Sequence, residues 1–181
     1  MRKAIYILIG LLIFVSCQDV KERKKENSVT EFDLVTDFTN FRQKMTELDT
    51  LIISFDHSVC TYQGYERIEI TKESDSIKIV SNFAELTFDE IPKWKKIYDT
   101  KISEKDTLWK FEQFLKRNEK RRNSDKNKRG ILVLTNKKDT IGYSTEGLID
   151  LNRFLTDYYE TMRKIHPENL NGIYGVEIVG K

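Results

Sequence analysis

The sequence predicts an α+β fold, a mostly antiparallel sheet with about three helices packed on it in a single domain over residues 28–181. Three observations predict it. Residues 65–70 alternate apolar and polar side chains and 77–80 return after a polar turn, and 130–136 and 140–144 flank a second polar turn, the pattern of β-hairpins, which join antiparallel neighbours. Three other stretches space their apolar residues by three and four, the period of an amphipathic helix. The order helix, strands, helix, hairpin, helix, strand has no regular strand–helix–strand alternation, so the helices are expected to gather on one face of the sheet.

Each element has its own warrant. Ser28 and Glu31 have capping-box spacing, and Phe32, Val35, Phe38, Phe41, Met45 and Leu48 continue at helical spacing, which predicts a helix over about 29–48. Residues 51–55 form a short apolar strand. In 65–70, Tyr65, Arg67 and Glu69 point to one side and Ile68 and Ile70 to the other; residues 77–80 return after a polar turn. Short strands at 86–88 and 97–102 flank Pro92, which cannot donate to a central ladder. Leu108, Phe111 and Leu115, with Trp109 and Phe114 beside them, predict a helix over about 105–121, followed by a polar loop over 122–129.

Residues 130–136 and 140–144 make the second hairpin, and Leu148, Leu151, Phe154, Leu155, Tyr158 and Met162 mark the third helix. Pro167 and Gly172 punctuate its exit, and 173–179 alternates as a terminal strand. The turns at 70–77 and 134–141 share the order apolar, Thr, polar turn, Asp, hydroxyl, Ile. Such turns demand these residue types in any case, and two units fall short of the three or more of a solenoid. A domain of about 150 residues buries roughly 68–70% of its unfolded surface, enough to fold without metals or disulfides.

Composition narrows the function. The 181 residues carry 31 Lys and Arg against 29 Asp and Glu, with 8 Gly, 2 Pro and 2 Cys. These counts exclude collagen-like, Pro/Gly-rich and disulfide-stapled chains. A formal charge of +2 lacks the basic excess of a dedicated nucleic-acid binder. The average hides one local anomaly at the amino terminus. Arg2 and Lys3 precede an apolar run over 4–15, followed by Ser16 and Cys17, which matches the basic start, apolar core and small-residue cleavage site of an export signal. As a helix the run is about 18 Å long, short of a hydrocarbon core of about 30 Å. Residues 18–27 are polar and charged, with the composition of a solvated tether.

Phe14-Val15-Ser16-Cys17 resembles the lipobox of bacterial lipoproteins, with Phe14 where Leu is usual. The resemblance covers residues 1–17 only. It implies a signal peptide over 1–16, a diacylglyceryl group on the Cys17 thiol, commonly a further acyl chain such as palmitate on its freed amine, and a tether over 17–27. Two or more acyl chains anchor durably where one does not, so the membrane is a partner through Cys17 without a transmembrane helix. Gln18, rather than Asp, follows the cysteine, which by the same resemblance leans towards the outer membrane of the cell envelope. Removing 1–16 takes away Arg2 and Lys3 and no acid, so 31 cations become 29 against 29 acids and the mature chain is formally neutral.

Candidate chemistry is sparse. Asp56-His57-Ser58-Val59-Cys60 is the most suggestive cluster, because a Cys/His pair can make an activated thiolate. Along a continuing strand, however, residues three apart face opposite sides, and Cys60 then reads as a small buried hydrophobe. Scattered carboxylates such as Asp56, Glu66 and Glu69 are the alternative source of an enzymatic site. His57 and His166 are the only histidines and lack metal-site spacing; no Gly-rich phosphate loop is present, and neither a metal nor a cofactor is expected. His166, before Pro167, is placed just past a helix end.

Residues 116–129 hold eight Lys or Arg against Glu119 and Asp125, a local net of +6. Within it Arg121, Arg122, Lys126, Lys128 and Arg129 form either a solvated surface or a patch for an acidic envelope partner; no aromatic residues interleave, and nucleic acid is not expected. The reading that results is a lipid-anchored binding or assembly module of the cell envelope that is not an enzyme. An envelope hydrolase or transferase and an immunity-type protective lipoprotein remain as alternatives.

Overall fold

The computed structural model describes residues 30–59, 62–86, 91, 93–123, 130–137 and 139–175. The expected signal peptide, Cys17 and tether, and Cys60, Lys126, Lys128 and Arg129, lie outside the described residues.

Alternation builds one seven-stranded sheet. Strand β1 (Thr50–Asp56) turns Leu51, Ile53 and Phe55 inward and Ser54 outward, and β2 (Gln63–Glu73) turns Glu66, Ile68, Ile70 and Lys72 inward and Arg67 and Glu69 outward. Strands β3 (Ser76–Leu86) and β4 (Lys95–Ser103) follow, then β5 (Arg122–Asn123), β6 (Leu132–Thr135) and β7 (Thr140–Tyr143). The order is β4-β3-β2-β1-β6-β7-β5 and every pairing is antiparallel. Strand β1 therefore lies between the two predicted hairpins, β2–β3 and β6–β7.

The helices are α1 (Leu34–Asp37), α2 (Phe41–Lys44), α3 (Phe111–Arg117) and α4 (Gly147–Met162). Their apolar residues join the inward rows of the strands in a single core that includes Phe41, Phe111, Phe114, Phe154, Tyr158, Ile53 and Ile68. The α+β domain of the sequence reading, with helices on one face of an antiparallel sheet, is the fold found.

Arg122 and Asn123, expected in a polar loop, pair with Tyr143 and Gly142 as β5, and three further boundaries differ, each for a local polar reason. The helix expected over 29–48 is two short ones. The side chain of Asp33 accepts from the N–H groups of Val35 at 2.8 Å and Thr36 at 3.2 Å and so caps α1 in place of Ser28; Asp49 gathers Thr30 Oγ1, Thr46 N–H and Thr46 Oγ1 and closes the chain after α2. The helix expected over 105–121 starts only at Phe111, because Asp106 accepts from the N–H groups of Leu108 and Trp109 and holds 106–110 as a turn; residues 119–121 finish as a 3₁₀ turn. At the carboxyl end, residues 173–175 form a turn in place of the expected strand, with Gly175 N–H donating to the Gly172 carbonyl; the rest of that stretch lies outside the described residues. The hairpins also differ in register. Thr71 pairs with Lys78, whereas the matching Thr135 pairs with Thr140, so the connections are two and four residues long. The shared sequence is turn chemistry on two different turns.

Candidate functional site

A carboxylate in an otherwise apolar row of a strand organises the site. Glu66 is on the inner face of β2, 1% exposed, directly between Phe55 of β1 and Phe83 of β3. On the same face, β1 presents His57 two residues after Phe55 and β3 presents Ser81 two residues before Phe83, diagonal neighbours that flank Glu66 towards Gly64 and towards Ile68 respectively. His57 extends β1 by donating its N–H to the Gly64 carbonyl. Helix α4 lowers Tyr158 onto the carboxylate from above, and the loop after α4 inserts Tyr174.

Four side chains converge on the two oxygens. Ser81 Oγ at 2.7 Å and the Tyr174 hydroxyl at 2.5 Å donate to Oε1, while the Tyr158 hydroxyl at 2.8 Å and His57 Nε2 at 3.1 Å face Oε2. A carboxylate has about four acceptor positions, so each is filled. Burial alone would push the Glu66 carboxyl up, but the hydrogen bond and charge of His57, with the Tyr174 and Ser81 hydroxyls, outweigh it and hold the group below the ordinary carboxylate value. The group is ionised. Burial, reinforced by the charge of Glu66, drives the Tyr98, Tyr158 and Tyr174 phenols well above their ordinary value, so they remain donors. Because Tyr174 gives its proton to Glu66, Tyr98, 3.0 Å away, donates to the Tyr174 oxygen.

The carboxylate also requires a proton on His57 Nε2, while Nδ1 faces the Tyr159 hydroxyl 3.3 Å away. The Tyr159 ring stacks on the imidazole at 5.7 Å, and its phenol is pushed up to about 12 by burial and then by Glu66. Here the cluster meets solvent. A cleft of about 290 Å³ opens beside His57 and Tyr159, walled by Tyr62, Glu85, Asn171 and Gly172. It shares Glu85, Asn171 and Ile173 with a second hollow of about 330 Å³ that holds Lys93 and Lys95.

The predicted site residues separate. Asp56 and His57 occupy opposite faces of β1, and Asp56 accepts from the Ser58 N–H at 2.9 Å. Glu69 is exposed on the outer face of β2, so Asp56, Glu66 and Glu69 do not converge. Arg121 is held by Asp150 and by Asn118 Oδ1 at 2.7 Å, and Arg122 donates to the Val35 carbonyl at 2.8 Å with its guanidinium over the Phe38 ring. Both described members of the basic patch are thus bound within the domain. His166 lies past the end of α4 and stacks on Tyr98. Among the described residues no three His, Cys, Asp or Glu side chains gather as a metal site, and no helix is long and apolar enough to cross a membrane.

One signal of the cluster was in the sequence. If Ile68 and Ile70 share a face, Glu66 shares it with them. The tyrosines of the cluster, Tyr158 and Tyr174 on Glu66 itself and Tyr98 and Tyr159 one step out, come from three other segments, and no local pattern marks their meeting. No protein-family model, curated protein or solved structure matches the chain.

Proposed function

We propose that the chain is a lipoprotein of the bacterial cell envelope, anchored through lipid on Cys17, and that its α+β domain binds a ligand in the cleft beside His57 without transforming it. The anchor rests on Arg2, Lys3, the apolar run and Phe14-Val15-Ser16-Cys17. The binding reading rests on one observation, the saturation of Glu66. A general base must offer a free lone pair within reach of the proton it takes. Glu66 offers none, because its four acceptor positions hold Ser81, Tyr174, Tyr158 and His57. The carboxylate instead locks the floor of the cleft, and Tyr159, Tyr62 and Asn171 present polar groups above it.

Two measurements test the halves of this reading. Membrane fractionation of Cys17→Ala should show loss from the membrane or an uncut precursor; membrane retention at the normal processed size overturns the anchor. Native mass spectrometry of the detergent-extracted protein should show a co-purifying ligand of unchanged structure that Asn171→Trp, which fills the cleft from an exposed position, no longer holds. Equal capture by the variant, or recovery of a chemically altered ligand, overturns the binding reading.

A further inference from the structure

From the make-up of the cleft, and resting on its reading as a binding site, we infer that it recognises an alkylammonium group. Three rings, His57, Tyr62 and Tyr159, and one carboxylate, Glu85, line it, together with Asn171 and the backbone of Gly172 and Gly175. Aromatic faces attract a cation through the ring quadrupole, and a carboxylate at the rim supplies the opposite charge.

The negative charge at the cleft comes from Glu85 at its wall and Glu66 behind His57, and Arg163 stands beside Gly175 at its edge. Among the described residues Glu85 has the Tyr62 hydroxyl, 3.2 Å away, as its side-chain partner and no cation within ion-pair distance. Lys93 and Lys95 lie in the hollow on the other side of Glu85, and Arg163 donates to the Tyr174 carbonyl at 2.9 Å. On the His57 side a bound cation would meet the Glu85 carboxylate with the Tyr62 hydroxyl as its side-chain partner. The two tyrosines offer neutral rings, since burial carries both the Tyr62 and Tyr159 phenols to about 12.

The wall is built for the purpose at Gly64. A Cβ there would lie 2.6 Å from the Tyr62 hydroxyl, 2.8 Å from its ring and 2.9 Å from Phe83. Only glycine lets the Tyr62 ring lie across β2 and face the cleft. A backbone bridge to Val59 holds Tyr62 in this place.

Choline and its uncharged isostere 3,3-dimethylbutan-1-ol separate charge from shape. In the full-length protein, held in a maltoside micelle, choline should shift the amide resonances of Tyr62 and Gly172. The isostere should bind at least tenfold more weakly, Glu85→Gln should weaken choline by about tenfold, and Tyr62→Phe should keep the affinity that Tyr62→Leu loses. Equal binding of the isostere overturns the ammonium and leaves the cleft as a binding site. Resonances that do not move with choline overturn the inference as well, and capture by Asn171→Trp then decides independently whether the binding reading falls with it. Unchanged choline affinity in Glu85→Gln and Tyr62→Leu alike places the cation elsewhere and also overturns it.

Discussion

Glu66 carries the sharpest consequences of any residue. Its carboxylate accepts on both oxygens, so an amide in its place turns an N–H₂ donor towards two groups that also donate. Buried donors left without acceptors cost about 1–3 kcal/mol each. Glu66→Gln should accordingly lose about 3 kcal/mol of stability, read as a lower urea midpoint at an unchanged denaturant slope. The pH dependence follows from the depressed carboxyl. Relative to an unfolded value near 4.5, its contribution is present above that pH and is lost as pH falls through the lower folded value. The stability gap between wild type and Glu66→Gln should therefore be widest near neutrality and narrow below pH 4.5. A gap that widens on acidification would mean the carboxyl is protonated in the native state.

At the scale of elements, short helices need tertiary clamps, since four residues cannot hold a helix by themselves. Arg42 of α2 supplies one. Its backbone N–H donates to Glu112 Oε1 at 2.9 Å and its Nε to Oε2 at 2.7 Å, and its guanidinium also reaches the Asp106 carbonyl. Both partners are largely buried, and removing one member of a buried pair costs about 3–5 kcal/mol. Glu112→Ala should therefore destabilise the domain by about that much in chemical denaturation, while Leu148→Gln on α4, where Leu148 is 79% exposed, should change stability by less than about 0.5 kcal/mol. Strand β4 is an edge of the sheet and carries Lys95, Lys96 and Lys101, charges that discourage pairing with another chain. Light scattering should detect faster aggregation of Lys96→Val/Lys101→Val than of wild type. The first hairpin was legible because the period-2 alternation of 65–70 is read directly as two faces, and the second because apolar runs flank a polar turn. The first helix was not, because Asp33 and Asp49 redirect the backbone with side-chain hydrogen bonds that an apolar pattern does not record, although Phe32, Phe38, Phe41 and Met45 are buried as that pattern requires.

For the whole molecule, the decisive feature is that β1 takes β2 on one side and β6 on the other. The pairing of Ile53 with Leu134 joins residues far apart in the chain and places both hairpins in one sheet. Contacts of that separation slow folding, so variants that weaken β6, such as Leu134→Ala, should lower the refolding rate if this pairing forms in the transition state, and stopped-flow kinetics measures it. The same closure brings α4 and the loop after it over the inner face of β2, which completes the Glu66 cluster and opens the cleft.

The sequence by itself determined the α+β class, the two hairpins, the third helix and the two faces of residues 65–70, because these depend on local periodicity and turn chemistry. It also held Phe14-Val15-Ser16-Cys17, on which the proposed anchor rests. The tertiary structure alone decided that Glu66 is saturated, that Asp56 and His57 face apart, that Arg121 and Arg122 are engaged inside the domain, and that Tyr62, Glu85, Tyr159 and Asn171 surround one cleft. Those facts depend on which distant strands pair and on where α4 crosses them, and a side chain's chemistry is set by the groups that such long-range packing brings within hydrogen-bonding distance.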